Sequence, residues 1–259
     1  MDVPTSLGNM DEALSMKRIL LLAALALSLH GQILRPILAG PIPAVSSGPI
    51  TKDDTAVLSY SNGGTSTANV NSTGPHGLAV VFMFTDGGSA PVCTYDGVSM
   101  GANVKNGAFN TNPAASGVEY IFVMTGIPTG TKTVNCTTMA GAFGSFGRVV
   151  TYLNAKQTGQ PDNSAYVTGT STNATPTVFT FGITTVANNS AVIATFVGTG
   201  NGITDSPSTN GTYLGNDGFL TYQWTATSNV TPAGVFNFEA WGFGGQEVYD
   251  SIGVSLAPF

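Results

Sequence analysis

The chain has 259 residues, 42% hydrophobic and 8% charged, where an ordinary soluble domain is about 25% charged. That length and apolar content allow one large β domain or two small ones and exclude general disorder. Eight Lys and Arg against fourteen Asp and Glu leave a net charge of −6. This excludes a sequence-independent nucleic-acid binder, which needs a cationic face for phosphates, and disfavours docking on anionic membrane surfaces.

Residues 1–45 differ in kind from the rest. Lys17 and Arg18 precede the apolar run Ile19–Leu29, the pattern of a positive n-region and an h-region in a secretory signal peptide, cleanest if initiation is at Met16. The run is shorter than the roughly twenty residues that span a bilayer. It resumes as Ile33-Leu34 and is cut by Arg35-Pro36, so a single membrane span is the second choice. The competing reading is a retained assembly arm that docks on a partner. Any membrane contact is expected through this segment alone. Pro, Ser and Gly crowd residues 40–49, and a linker is read at 46–54, followed by a single domain at 55–259.

The body is rich in turn formers and β-branched residues, with 33 Gly and 34 Thr, which suit strands and turns. Apolar runs at 78–84, 118–124, 148–153 and 191–197 are bounded by Gly, Pro, Asn or Asp and predict buried strands. Other segments alternate. Phe236, Phe238 and Ala240 share one face, and Ile252, Val254 and Leu256 lie opposite Ser251, Gly253 and Ser255, which predicts one packed and one wet face. Ten to twelve strands are expected and no helix after residue 45. The fold class that follows is all-β, a two-sheet antiparallel β-sandwich of jelly-roll or Ig-like type, with a short N-terminal apolar segment.

Val92-Cys93-Thr94-Tyr95-Asp96-Gly97-Val98-Ser99-Met100 resembles a V-x-Y-x-G-V-x-(L/M) segment of β-sandwich domains found in bacterial secreted surface proteins and tailed-phage virion accessory proteins. The turn and strand Pro128–Val134, the loop Gln157–Pro161 and the closing Ile252–Leu256 follow in the same order. The resemblance spans roughly residues 55–257 and rests on structural motifs. It implies a non-enzymatic adhesion, decoration or accessory domain and supplies no catalytic residue.

Cys93 and Cys136 are the only cysteines and both fall in predicted strands. They read either as a disulfide, which suits an oxidising compartment, or as two buried thiols. Trp241, Trp224, Tyr213 and Tyr249 are candidate ligand contacts because aromatic faces stack on the apolar faces of sugars. Asn201 and Asn210 belong to an Asn/Gly-rich loop suited to recognition. The same aromatics could simply fill the ends of a sandwich. Asp205 and Asp217 are calcium-ligand candidates, since Ca²⁺ gathers six to eight oxygens from such loops. Backbone turn geometry explains them as well. Glu119 and Glu239 lie inside strands with nothing in the sequence to bring them together. With His30 in the leader-like segment, His76 alone would have to anchor a histidine-based site.

No catalytic residue and no enzymatic activity are therefore expected, and no cofactor beyond a structural Ca²⁺. The expected role is a structural or assembly component outside the cytoplasm or on a virion: a decoration, fibre or filament subunit. The alternative is a secreted carbohydrate-binding or adhesion domain. Partners are expected to be proteins, copies of itself or a glycan, with no nucleic acid.

Overall fold

A strand with apolar side chains on both edges of the pleat must be covered on both faces, whereas strict alternation marks a strand with one wet face. Both patterns occur here, and they sort the strands into inner and outer layers. A computed structural model describes residues 48–86, 90–110, 116–137, 144–171, 177–198, 210–216, 221–226, 228–242 and 247–259. These residues are all-β, with sixteen strands in chain order. The first nine are β1 (Thr51–Ser61), β2 (Thr65–Ser72), β3 (Leu78–Thr85), β4 (Val92–Tyr95), β5 (Val98–Ser99), β6 (Lys105–Asn110), β7 (Ser116–Thr125), β8 (Gly130–Thr137) and β9 (Ser145–Leu153). The rest are β10 (Asn163–Ser171), β11 (Thr177–Thr184), β12 (Ala191–Gly198), β13 (Gly211–Asn216), β14 (Thr221–Ala226), β15 (Val235–Gly242) and β16 (Glu247–Leu256).

The strands pair antiparallel into four sheets. Sheet I is β2-β8-β4-β5, sheet II is β1-β9-β3-β7-β6, sheet III is β10-β16-β12-β14-β13, and sheet IV is β11-β15. Sheets I and II come from residues 51–153, and sheets III and IV from 163–256. Three cores join them in that order. In the first, Val70, Tyr95 and Val134 of sheet I meet Val81, Met83, Phe122 and Val149 of sheet II. In the second, Leu78, Val80, Phe82, Ile121 and Val150 from the other face of sheet II meet Ile193, Ile252, Val254 and Leu256 of sheet III. In the third, Val192, Ala194 and Phe196 of sheet III meet Phe181, Ile183 and Phe238 of sheet IV.

The two-sheet sandwich expected from the sequence is therefore corrected to four sheets stacked through three cores. The cause is visible in β3, which is buried at all eight positions. Leu78, Val80 and Phe82 enter the second core, and Ala79, Val81 and Met83 the first. The strand β16 corrects a second expectation. Ser251 and Ser255 are fully buried; Ser251 Oγ donates to the Thr195 carbonyl at 2.8 Å and Ser255 Oγ to Asp162. A hydroxyl that bonds locally is cheap to bury, so the polar face of an alternating strand can be an inner face. The outer strand β2 does alternate between exposed and buried positions. β1 opens at Thr51, inside the stretch read as linker, and Ile50 before it is already buried.

Cys93 and Cys136 sit directly opposite each other on β4 and β8 and form a disulfide, with Cα atoms 4.1 Å apart and both residues fully buried in the first core. The edges of the first half are tied by side chains. Asp54 Oδ2 accepts the Asn71 N–H at 2.8 Å, and Asp53 Oδ2 accepts the Thr73 N–H at 2.7 Å. These carboxylates thus join edge strand β1 of sheet II to edge strand β2 of sheet I, where an open edge would otherwise expose unpaired backbone groups.

Candidate functional site

The second core carries most of the unusual chemistry. Glu119 stands on β7 in phase with Ile121, and Asp250 stands on β16 in phase with Ile252, Val254 and Leu256. Both therefore point into the seam between sheets II and III, one from each half of the chain. Glu119 is 2% exposed and Asp250 0%. Thr195 Oγ1, on β12, donates to Glu119 Oε1 at 3.2 Å. The other three carboxyl oxygens, Glu119 Oε2 and both of Asp250, have no hydrogen-bond partner on another of the described residues. Phe84 registers with Glu119 and Val197 with Asp250, and Phe84, Phe146 and Val197 form a small apolar cluster. Burial raises both carboxyl groups well above the usual carboxylate range. The Asp250 charge raises Glu119 further, and the Thr195 hydrogen bond opposes this only in part.

Neighbouring groups close the pocket. The Tyr166 ring, from β10, lies where a Cβ on Gly107 would stand, and Gly107 registers with Glu119. Tyr166 Oη donates to the Ala108 carbonyl at 2.7 Å, fixing the ring across the β6 edge. Burial, then the Asp250 charge, raises the Tyr166 hydroxyl. The buried Arg148 shares this seam but registers with Phe82, on the opposite side of β3 from β7, and its Nη1 donates to Thr55 Oγ1 at 3.2 Å. Both carboxyl groups are sealed from solvent, and that burial favours their protonated forms.

Further along the seam a cleft of about 270 Å³ opens at the surface, lined by Ile50, Thr51, Lys52, Tyr152, Ala191, Thr212, Thr225 and Asn229. Its floor is a hydrogen-bonded chain. Thr225 Oγ1 donates to the Val192 carbonyl at 3.1 Å, so its hydroxyl accepts from Tyr152 Oη, also at 3.1 Å. Asn229 Nδ2 donates to the Ile50 and Asn189 carbonyls, both at 2.9 Å, and holds the chain entry to β1 in place. Lys52 and Thr212 are exposed at the mouth.

The residues singled out from sequence are dispersed. Tyr213 and Trp224 are cross-strand neighbours on β13 and β14, and Tyr213 is partly buried against the third core. Trp241 lies on β15, registered with Val178, and Tyr249 on β16, registered with Gly198. The side chains of Trp224, Trp241 and Tyr249 lie outside the described residues, as do Asn201, Asp205 and Asp217 altogether. Asn210 is exposed, and its Nδ2 donates to the Asn237 carbonyl at 3.1 Å. Among the described residues no group of three or more His, Cys, Asp or Glu is arranged to hold a metal. Glu119 and Glu239 are not brought together: they lie in sheets II and IV. The actual partner of Glu119 was missed. Its signal was the phase of Asp250, two residues ahead of the inward Ile252, Val254 and Leu256.

Compared with family models, with curated protein sequences and with solved structures, the chain gives no match.

Proposed function

We propose that this protein is a non-enzymatic structural or assembly component, displayed outside the cytoplasm or on a virion as a decoration, fibre or filament subunit. The observation that carries the reading is where the reactive groups are: Glu119, Asp250 and Arg148 are shut between sheets, and Tyr152 is buried at the base of the cleft. What remains outside is a low-charge surface of strands and loops on a rigid stack, a body suited to packing against copies or neighbours. The buried Cys93–Cys136 bridge supports an oxidising location, and each half is read as a sandwich of the jelly-roll or Ig-like type. The test is the mass of the purified full chain in solution across a concentration series, with electron microscopy of the same sample. Discrete oligomers or filaments are expected. A strict monomer at every concentration would sink the assembly reading.

The cleft favours a second reading, a carbohydrate-binding or adhesion domain. Hydroxyls of Thr51 and Thr212, the Asn229 amide and Lys52 surround it beside Ile50 and Ala191, and sugars are bound by such convergent polar groups set among apolar side chains. Glycan-array binding abolished by Thr212→Arg, which would fill the mouth, supports this reading. Binding lost in Trp241→Ala and kept in Thr212→Arg would move the ligand to the aromatic strands instead.

A further inference from the structure

We propose that Glu119 and Asp250 form a proton-held latch between the two halves of the chain, closed while the pair is protonated and released when it ionises. The geometry carries this. One carboxyl comes from sheet II and the other from sheet III. Both are sealed from water, and three of their four oxygens have no partner on another of the described residues. Two ionised carboxylates in such a site would lack both solvent and counter-charge, a state that costs several kcal/mol per ion. A carboxylic acid facing a carboxylate or a second acid has a donor to offer, so a retained proton relieves the pair.

The surroundings fit a proton better than a cation pairing. On β12, Thr195 offers one hydroxyl and Val197 only methyl groups; on β3, Phe84 offers a ring. On β10, Tyr166 spends its hydroxyl proton on Ala108, and Thr168, registered with Asp250, is exposed. On β6, the position opposite Glu119 is Gly107, with Lys105 two residues along and registered with Ile121. Arg148 on β9 is engaged by Thr55 on the opposite side of β3 from β7.

The sign follows from linkage. The native carboxyls hold protons that the unfolded chain gives up near pH 4. Stability is therefore greatest below that range and falls as pH rises toward the raised native values. The unfolding constant rises by up to about tenfold per pH unit for each proton involved.

The test is thermal and denaturant unfolding of the full chain from pH 4 to pH 9, for the wild type and for Glu119→Gln, Asp250→Asn and the double variant. The wild type is expected to lose stability progressively with rising pH, and the double variant, whose amides mimic the protonated acids, to lose most of that slope. Infrared spectroscopy of the wild type gives a readout that survives a variant that does not fold. A carbonyl stretch of buried protonated carboxyl groups should be present at pH 5 and bleach as the protein loosens. A wild-type profile as flat as that of the double variant, or the absence of that band at pH 5, overturns the latch. So does a stabilisation by calcium that disappears in Glu119→Gln, which would make the pair a cation site.

Discussion

Replacing Cys93 and Cys136 together by alanine should destabilise the protein by about 4 kcal/mol through the unfolded chain. The two residues are 43 positions apart, and freeing a loop of that length restores about 13 cal/mol/K of chain entropy, or about 4 kcal/mol at 25 °C. The native state changes little, because Val92↔Thr137, Thr94↔Asn135 and Tyr95↔Val134 stay in register on either side of the lost bridge. Two sulfurs removed from the first core add a small void, worth about 1 kcal/mol. The assay is guanidinium unfolding of the oxidised wild type, the reduced wild type and the double variant. The midpoint should fall in both uncrosslinked forms, and the m-value should rise because the unfolded chain is less compact. A double variant within about 1 kcal/mol of the oxidised wild type would refute the loop-entropy account. A loss in the alanine variant without one in the reduced wild type would put the effect in packing.

Gly147→Ala should cost about 3 kcal/mol or more, the upper end of overpacking. A Cβ there meets the Phe82 carbonyl oxygen and Met83 Sδ in a strand held on both sides, so soluble protein with wild-type melting would contradict the packing. Asp162→Ala should cost about 2–3 kcal/mol and speed amide exchange at Val186 and Ala187. Asp162 Oδ2 accepts both N–H groups, at 3.3 and 3.4 Å, and Oδ1 accepts the buried Ser255 hydroxyl, and unchanged exchange there would refute its role as an anchor. Tyr152→Phe should cost about 1 kcal/mol, and Thr225→Val more, about 1–3 kcal/mol. The first leaves Thr225 bonded to Val192, whereas the second strands the buried Tyr152 hydroxyl. Chemical denaturation of both variants checks the order, and its reversal would refute the assigned donor direction.

Strand positions were legible because period and punctuation are local. The runs at 78–84, 118–124, 148–153 and 191–197 fall within β3, β7, β9 and β12. Their layering was also written there. A run with no polar member, as at 78–84, needs cover on both faces and demands an inner sheet, which a two-sheet sandwich does not have. What hid this was β16, whose Ser251 and Ser255 look wet in sequence and are dry in the fold because Thr195 and Asp162 accept their protons. The disulfide was legible as a candidate, and the register of β4 on β8 turned it into a bond. The carboxyl pair was not. Its members are separated by about half of the chain, and only the stacking of sheet III on sheet II makes them neighbours.

Apolar side chains of similar size at 119 and 250 would hold the seam at least as well as two acids. The carboxyl pair therefore adds sensitivity to protons rather than strength, and it adds it at one core of three. The first core is braced by a disulfide that does not titrate, and the Asp162 anchor ties β10 and β16 to the loop before β12 within the second half. Raising the pH should therefore open the molecule in order. The second core should loosen first, while sheets I and II remain packed, because local openings follow the weakest cooperative unit. Hydrogen exchange followed by peptide at pH 5 and pH 9 reads this directly. After correction for intrinsic exchange rates, peptides from β7 and β16, which face the second core, should lose more protection at pH 9 than those from β4 and β8. Equal loss across all four strands would mean that the three cores melt as one unit, and that the acids weaken the whole fold without parting its halves.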